Sequence, residues 1–354
     1  MYQLIKGLTE LHGPCGHEQQ ITRYIREKTA VLADSVEVDA VGNVICRTKG
    51  SQPGPRVIVT AHMDEVGFVI KKIEANGLLR FEKLGGHDDR ILLAQKVEVT
   101  TDQGHLRGVI GTISAHYMKF DNPDGVRKHK ELYIDIGASS KSEAESLGVQ
   151  VGDIATWCSE TEYLGSEKTG RIVGKGFDDR AGCAVLIQVL QELKNRNFAG
   201  EVIALFSVQE EVGLRGASIA ANHIEAAAAI AVDTTAVSDT PESTMDNSLK
   251  LGDGTGIKIM DFSLIAHPAI KKSLVNLARE REIPFQREVF PGIGTDGGAL
   301  SLGGRGIPTG VLSIPSRYAH SPVEVIDMGD LQATVDLLLS FIESLSERSS
   351  FTFL

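Results

Sequence analysis

Acidic and imidazole side chains stand at the ends of several apolar runs that predict buried strands. The runs are RVIVTA, EVIALFSV, AIAV and GVLSIP, and the side chains that follow them are His62, Asp64, Glu210, Glu211, Asp233 and His320. Open α/β sheets present their ligand sites outside the carboxyl ends of the strands, so we expect these side chains to meet at one rim. Imidazole and carboxylate donors without cysteine suit zinc, cobalt or manganese. The joint pattern therefore predicts a site for divalent cations.

His62 and Asp64 follow the run RVIVTA directly. Side chains alternate along a strand, so these two should project to one face while Met63 points away. A ligating imidazole usually donates its second ring proton to a carboxylate, and Asp64 is the candidate for orienting His62 in this way. For a lone histidine, the commoner role is a hydrogen-bonded side chain at the end of a strand.

Asp178 and Asp179 lie in GKGFDDRAG, immediately before a predicted helix. Either side chain can cap the free backbone amides of that helix without any functional role. Two adjacent acids after a glycine-flanked turn also suit one carboxylate that bridges two cations while its neighbour supports the loop. The local sequence favours neither interpretation.

The other candidates have structural alternatives too. Glu210 and Glu211 precede a predicted helix, where an acidic first turn favours the helix dipole, although one could ligate a metal while the other activates water. Asp233 could form an Asx turn, and His320 in SRYAHSP could be a polar loop residue. Separate caps do not explain why several strand ends each carry such a residue, so we favour metal binding.

The elements that would position these residues alternate between helices and strands. Apolar spacing predicts helices near residues 18–32, 180–194, 268–282 and 331–345, with buried strands between them. This alternation is typical of an α/β sheet flanked by helices. The segment Gly294–Gly298 around Asp296 is a glycine-rich loop that either shapes the substrate site or is a plain turn, and the sequence favours neither alternative.

Residues 66–163 have a different sequence pattern, which is typical of strands rather than helices. Alternating runs such as FVIKKIE, KVEVTT and ELYIDIG are separated by glycine-rich turns, and only SEAESL suggests a helix. We interpret this region as an inserted β-barrel-like domain. The remaining segments, 1–65 and 164–354, would then form one catalytic domain that is split in the sequence.

Composition favours a folded soluble protein. Hydrophobic residues make up 42% and charged residues 23%, which argues against disorder, and no apolar stretch resembles a secretory signal or a membrane span. The net charge of -11 disfavours nucleic acid and anionic lipid as partners. The four cysteines lie far apart, which argues against a disulfide framework and indicates the cytoplasm.

The chain closely resembles the tetrahedral (TET) aminopeptidases, a group that includes glutamyl and deblocking aminopeptidases. The resemblance covers nearly the whole length and is carried by ordered motifs: AHMDEVGF, GKGFDDRAGC, QEEVGLRGA, AVDT, GTDGGAL and SRYAHSP. It implies a mixed-sheet metallo-exopeptidase domain flanked by helices, with an inserted β-barrel-like (PDZ-like) dimerisation domain.

The resemblance also implies a role for each site residue. Two divalent cations, with zinc or cobalt preferred over manganese, would share Asp178 as a bridging ligand. His62 and Asp233 would complete one metal site, and Glu211 and His320 the other. Glu210 would be the general base and acid that activates the metal-bridged water, while Asp64 and Asp179 are supporting carboxylates. The implied reaction is hydrolysis of the N-terminal residue from short peptides.

The resemblance further implies dimers formed through the β-rich insertion and a hollow tetrahedral dodecamer of six dimers.

Two rival functions stay open on the sequence alone. The first is a glycosidase using the Glu210 and Glu211 pair, although its carboxyls would have to flank one sugar bond and would leave the histidines without a role. The second is a non-catalytic scaffold held together by metals, in which an unligated Glu210 would lack a purpose.

Overall fold

The computed structural model describes residues 1–121, 125–237, 239–241 and 249–353. Among these residues, no helix is both long and apolar enough to cross a bilayer. The helices are α1 (Tyr2–Thr9), α2 (Gln19–Thr29), α3 (Lys141–Ser146), α4 (Phe177–Leu193), α5 (Arg215–His223), α6 (Pro268–Glu280), α7 (Asp296–Ser301) and α8 (Met328–Glu343).

The strands belong to two separate sheets. The chain begins with β1 (Ser35–Val38), β2 (Val44–Lys49) and β3 (Gln52–His62). The next group is β4 (Gly67–Ile73), β5 (Leu79–Leu84), β6 (Lys96–Thr101), β7 (Gly104–Ile110), β8 (Ile134–Asp135) and β9 (Ile154–Trp157). The last group is β10 (Glu162–Tyr163), β11 (Arg171–Gly174), β12 (Ala199–Ser207), β13 (Ala228–Ala236), β14 (Thr255–Met260), β15 (Phe285–Val289), β16 (Thr309–Arg317) and β17 (Glu324–Asp327).

Within the described residues, the larger sheet has eleven strands and is mixed. Its main path is β1-β2-β12-β3-β13-β16-β17-β11-β10, with β14 pairing to β16 and β15 to β14. The central strands β12, β3, β13 and β16 run parallel to one another. Their carboxyl ends therefore lie along the same edge of the sheet, as the sequence pattern predicts.

Helices cover this sheet on both faces. Val57 and Val59 of β3 pack in a core cluster with residues of α1, α2, α4, α6 and α8, whereas Ile58 between them packs with residues of α5 and α7. Since side chains alternate across a strand, a run of apolar residues can serve both layers at once. This explains why RVIVTA is uninterrupted, and the predicted fold class is confirmed.

The smaller sheet closes into a barrel of β4-β5-β8-β7-β6-β9. Its core includes Phe68 and Trp157, which are almost completely buried. All six strands lie within residues 66–163, whereas β10 near the end of this range belongs to the larger sheet. The domain boundaries themselves stay a prediction.

Some local predictions differ from the structure. Of the ELYIDIG run, only Ile134–Asp135 is a strand, because the residues before it form a turn in which the Lys128 amide and the Glu131 side chain are hydrogen-bonded. Asp296 begins the short helix α7 rather than lying in a loop. The helix predicted directly after Glu211 begins only at Arg215.

Candidate metal and active site

The parallel strands bring the predicted site residues to one edge of the larger sheet. His62 is the last residue of β3, and Glu210 and Glu211 follow β12 by three and four positions. Asp233 lies inside β13 rather than at its end, where it pairs in register with Ser313 of β16. The strand-end prediction is therefore wrong for Asp233, although its side chain still reaches the shared rim.

Asp178 lies between two histidines that are far apart in the sequence. Its Oδ1 is 3.1 Å from Nε2 of His62, and its Oδ2 is 3.2 Å from Nε2 of His320. Nε2 of His320 is also 3.1 Å from Oε1 of Glu211, and Nε2 of His62 is 3.8 Å from Oδ1 of Asp233. The five side chains therefore form one continuous cluster, with Asp178 at its centre.

Asp64 contacts both His62 and the loop that carries the two glutamates. Its Oδ1 lies 3.5 Å from Nδ1 of His62, and its main-chain oxygen lies 3.2 Å from the same nitrogen. Its carboxylate also accepts hydrogen bonds from the backbone amides of Glu210 (3.0 Å) and Glu211 (3.2 Å). Met63 is buried in the core. Asp64 therefore fixes the ring of His62 and the backbone of the glutamate loop together.

Asp179 supports the site through the backbone. It accepts hydrogen bonds from the amide of Gly182 at 3.0 Å and from the amide of His62 at 3.3 Å. Its carboxylate also lies within 4.8 Å of potential ligand atoms of His62 and Asp233. Asp178 and Asp179 sit in the first turn of α4 with non-helical backbone angles, which directs Asp178 towards the histidines and Asp179 into the protein.

The electrostatics of the cluster are dominated by buried acids. Burial and the neighbouring carboxylates raise the pKa of Glu210, Asp233 and Asp179 well above the usual range. Burial alone would lower the pKa of His62, but its hydrogen bonds with Asp178 and Asp64 raise it well above the usual value. So many carboxylates in a poorly solvated space repel one another, and bound cations would relieve that repulsion.

The donor set fits two divalent cations. Each oxygen of Asp178 faces a different histidine, as a bridging carboxylate requires. Oε1 of Glu211 is buried, and its 3.1 Å contact with Nε2 of His320 leaves a second lone pair of this oxygen available to a cation. Imidazole and carboxylate ligands without cysteine suit zinc, cobalt or manganese.

A cavity of about 460 Å³ opens onto the cluster. Glu210 lines it together with His62, Asp178, Glu211, Asp233 and His320. Apolar side chains also line the cavity and form an apolar wall that includes Leu214, Phe262 and Ile293. A concave space of this size with a polar end and an apolar wall can hold a small ligand or the end of a peptide.

Two contributors to the site were missed from the sequence. Glu324 is buried, and its carboxylate accepts hydrogen bonds from the backbone amides of His320 (2.8 Å) and Asp178 (3.1 Å). The main-chain oxygen of Gly86, which follows β5 of the barrel, lies 2.8 Å from Nδ1 of His320. An acid within the apolar run VEVI is unusual and could have marked Glu324 as a candidate, whereas no sequence pattern identifies the main-chain oxygen of Gly86 as a contact of the site.

Asp296 lies behind the cavity rather than in its wall. It is buried at the start of α7 and accepts a hydrogen bond from the hydroxyl of Ser207, the last residue of β12. Burial raises the pKa of Asp296 to about 6. Of the glycine-rich segment Gly294–Gly298, Gly294 lines the cavity.

Comparisons with known proteins agree with this architecture. The family model described as M42 glutamyl aminopeptidase matches residues 42–337. A putative aminopeptidase of Acetivibrio thermocellus is 38% identical over 342 residues, which cover 97% of this chain and 98% of that protein. The structure of aminopeptidase APDkam598 from the archaeon Desulfurococcus kamchatkensis has 41% identity, covers 97% of this chain and 94% of its own, and superposes with a TM-score of 0.91.

A third relative is the TET1 peptidase of Pyrococcus horikoshii, described as assembling into a tetrahedron or a large octahedral shell. It has 36% identity, covers 97% of this chain and 99% of its own, and has a TM-score of 0.87. The similarity therefore extends over both sheets and over nearly the whole chain.

Proposed function

Because the chain belongs to the M42 glutamyl aminopeptidase family and is a hydrolase of peptide bonds, we propose that it removes the N-terminal residue from short peptides at a centre of two divalent cations. The family predicted from the sequence motifs is confirmed. The observation that carries the proposal is the position of Asp178, whose two oxygens each face a different histidine.

We assign the ligands according to these contacts. His62 and Asp233 would hold one cation, Glu211 and His320 the other, and Asp178 both; zinc or cobalt is favoured and manganese is possible. When bound, such cations lower the pKa of water and polarise the carbonyl group of a substrate. Asp64 and Asp179 would keep the ligands in place through the hydrogen bonds described above.

Glu210 is the proposed general base and acid. Its side chain lines the cavity, and its backbone amide donates a hydrogen bond of 3.0 Å to Oδ1 of Asp64. Burial and neighbouring acids raise its pKa, so this carboxylate has an increased affinity for a proton. It would take a proton from the attacking water and then pass it to the departing amine. The acidic end of the cavity would attract the free amino group of a peptide, which limits cleavage to the first residue.

The replacement Glu210→Gln tests the proposed base. We expect bound cations to be retained, because Glu210 is not an assigned ligand, while turnover of an aminoacyl anilide falls by roughly 10²- to 10⁴-fold. Elemental analysis and steady-state kinetics on the same preparation measure both quantities. The exposed Glu347→Gln is the matched control. A fully active Glu210→Gln enzyme would remove Glu210 from this role.

Removal of cations tests the metal dependence. Dialysis against a chelator should abolish hydrolysis, and zinc, cobalt or manganese should restore it. His320→Ala should weaken one of the two sites, because this histidine faces both Asp178 and Glu211. Activity that persists after elemental analysis has verified the loss of metal would contradict the two-cation proposal.

We also propose that the chain forms homo-oligomers, with residues 66–163 providing dimer contacts and six dimers forming a tetrahedral dodecamer. The assembly described for the Pyrococcus horikoshii relative supports this proposal. The four cysteines are free, which is compatible with the predicted cytoplasmic location.

A further inference from the structure

A second cluster of potential metal ligands lies outside the acidic rim, the edge of the larger sheet that carries His62, Asp178, Glu211, Asp233 and His320. His12 follows α1, whereas Glu98 and His105 belong to β6 and β7 of the barrel. Thr100 pairs with His105 across this hairpin, so Glu98, two residues before Thr100, lies on the same face as His105 and diagonal to it. The cluster therefore joins the segment after α1 to the barrel.

The donor atoms are close enough to share one ion. Nε2 of His12 is 2.7 Å and Nδ1 of His105 is 3.4 Å from the same oxygen, Oε1 of Glu98. One donor atom from each of the three residues lies within 4.8 Å of the others. Adjacent ligand atoms of a tetrahedral zinc ion with bonds of about 2.1 Å are separated by about 3.4 Å. The 2.7 Å contact between His12 and Glu98 is shorter than this spacing, so one of the two side chains would rotate outward when an ion binds.

The ring of His12 is already held in the orientation that a ligand needs. Its Nδ1 lies 2.5 Å from the hydroxyl of Thr156, a buried residue of β9. A ligating histidine typically makes a hydrogen bond through its other ring nitrogen, which leaves Nε2 to face the ion. Here Nε2 is the atom that faces Glu98.

The surroundings leave room for a further ligand. A cavity of about 510 Å³ is lined by His12 and Glu98 and also by Lys6, Lys96 and Arg107. Water from this cavity could complete the coordination. The basic side chains oppose a cation, so binding should be weaker here than at the acidic rim.

We propose that His12, Glu98 and His105 form a separate site for a borderline divalent cation such as zinc, which ties the segment after α1 to the barrel. Two imidazoles and one carboxylate are a ligand set that zinc accepts and that magnesium or calcium does not prefer. A bound ion would restrain the barrel relative to the larger sheet. This site takes no part in the proposed hydrolysis.

Zinc counting tests the proposal on the full chain. Protein stripped with a chelator is dialysed against increasing zinc, and the bound ions per subunit are measured by elemental analysis. We expect His105→Ala and Glu98→Gln to bind about one ion fewer than the wild type, whatever number the acidic rim holds. The exposed His223→Ala on α5 is the matched control and should bind as many ions as the wild type.

Two further readouts separate this site from the proposed active site. Aminoacyl anilide hydrolysis by His105→Ala should stay close to that of the wild type, and circular dichroism verifies that each variant is folded. Zinc should raise the melting temperature of the wild type more than that of His105→Ala. Equal ion counts in the wild type, His105→Ala and Glu98→Gln would overturn the proposal and leave a hydrogen-bonded His–Glu–His cluster.

Discussion

At the scale of single residues, the candidate site depends on carboxylates that do different work in similar surroundings. Asp178 faces the two histidines, while Glu324 accepts hydrogen bonds from the backbone amides of both Asp178 and His320. The sequence identifies Asp178 through its motif and its adjacent acid. It gives no reason to connect Glu324 with a residue 146 positions earlier, because that contact exists only after β17 has joined the sheet.

Replacing Glu324 should weaken the site without removing a ligand. Glu324→Ala leaves two partly buried backbone amides without their acceptor, and each unpaired group costs up to about 3 kcal/mol. We expect zinc affinity at the acidic rim to fall roughly 10- to 100-fold, as is typical when a residue that supports metal ligands is lost. Competition with a chelating dye measures the affinity.

Rescue distinguishes positioning from general destabilisation by Glu324→Ala. Glu324→Gln retains one acceptor oxygen and should recover part of the affinity, whereas the exposed Glu347→Ala should leave it unchanged. Wild-type zinc affinity in Glu324→Ala would show that the backbone hydrogen bonds do not position the ligands.

At the scale of elements, a buried network explains why two basic residues accompany the acids in GKGFDDRAG. Arg180 of α4 donates hydrogen bonds to the main-chain oxygens of Met63 and Leu8, and Lys175 lies 2.8 Å from Oε2 of Glu65. These contacts connect α1, the residues after β3 and α4. The carboxyl end of β3, which carries His62, is therefore fixed by groups that never touch the cavity.

Sequence periodicity predicted the long elements better than the short ones. The apolar run RVIVTA lies within β3 because burial on both faces requires an unbroken apolar segment. ELYIDIG has the alternation of a strand, yet only Ile134–Asp135 pairs, because a turn takes the residues before it. Glu210 and Glu211 resemble the acidic first turn of a helix in the sequence. In the structure their backbone amides donate hydrogen bonds to Asp64 instead, and α5 begins later. Tertiary contacts decided these local choices.

The barrel offers a test of the predicted inserted domain. Phe68 is buried against Trp157, with ring centroids 4.9 Å apart, and Trp157 is the one tryptophan of the chain. Phe68→Ala should lower the free energy of unfolding of the barrel by about 3–5 kcal/mol. In urea, tryptophan fluorescence should then change at a lower concentration, while the far-ultraviolet circular dichroism of the helices outside residues 66–163 keeps its midpoint.

The control for this prediction is Phe120→Ala, because the ring of Phe120 is 75% exposed. It should leave both transitions in place. If Phe68→Ala shifts the fluorescence and circular dichroism transitions together, the barrel and the larger sheet unfold as one unit and residues 66–163 are not an independent domain.

At the scale of the whole molecule, the interior of the proposed hollow dodecamer would select substrates by size. The residues that line the cavity come from several separate segments of the chain, and the main-chain oxygen of Gly86, which follows a barrel strand, contacts one of them, His320. The cavity therefore lies close to the junction of the two sheets. If dimers enclose these cavities in a hollow dodecamer, only short or unfolded chains reach the acidic rim. Specificity for the first residue would then be a separate property, set by the apolar wall around Leu214, Phe262 and Ile293.

This selection by size can be measured with a single N-terminal sequence. We expect the metal-loaded enzyme to release the first residue from a free tetrapeptide but not from the same four residues fused to a compact folded protein. A proteolytic digest of that fusion protein is the control, since its fragments should become substrates. Light scattering on the same sample should give a mass near twelve times the 38.1 kDa of one chain. Equal cleavage of the tetrapeptide and the folded fusion, or the mass of a single chain, would contradict an enclosed assembly but would not bear on the proposed roles of Asp178 and Glu210.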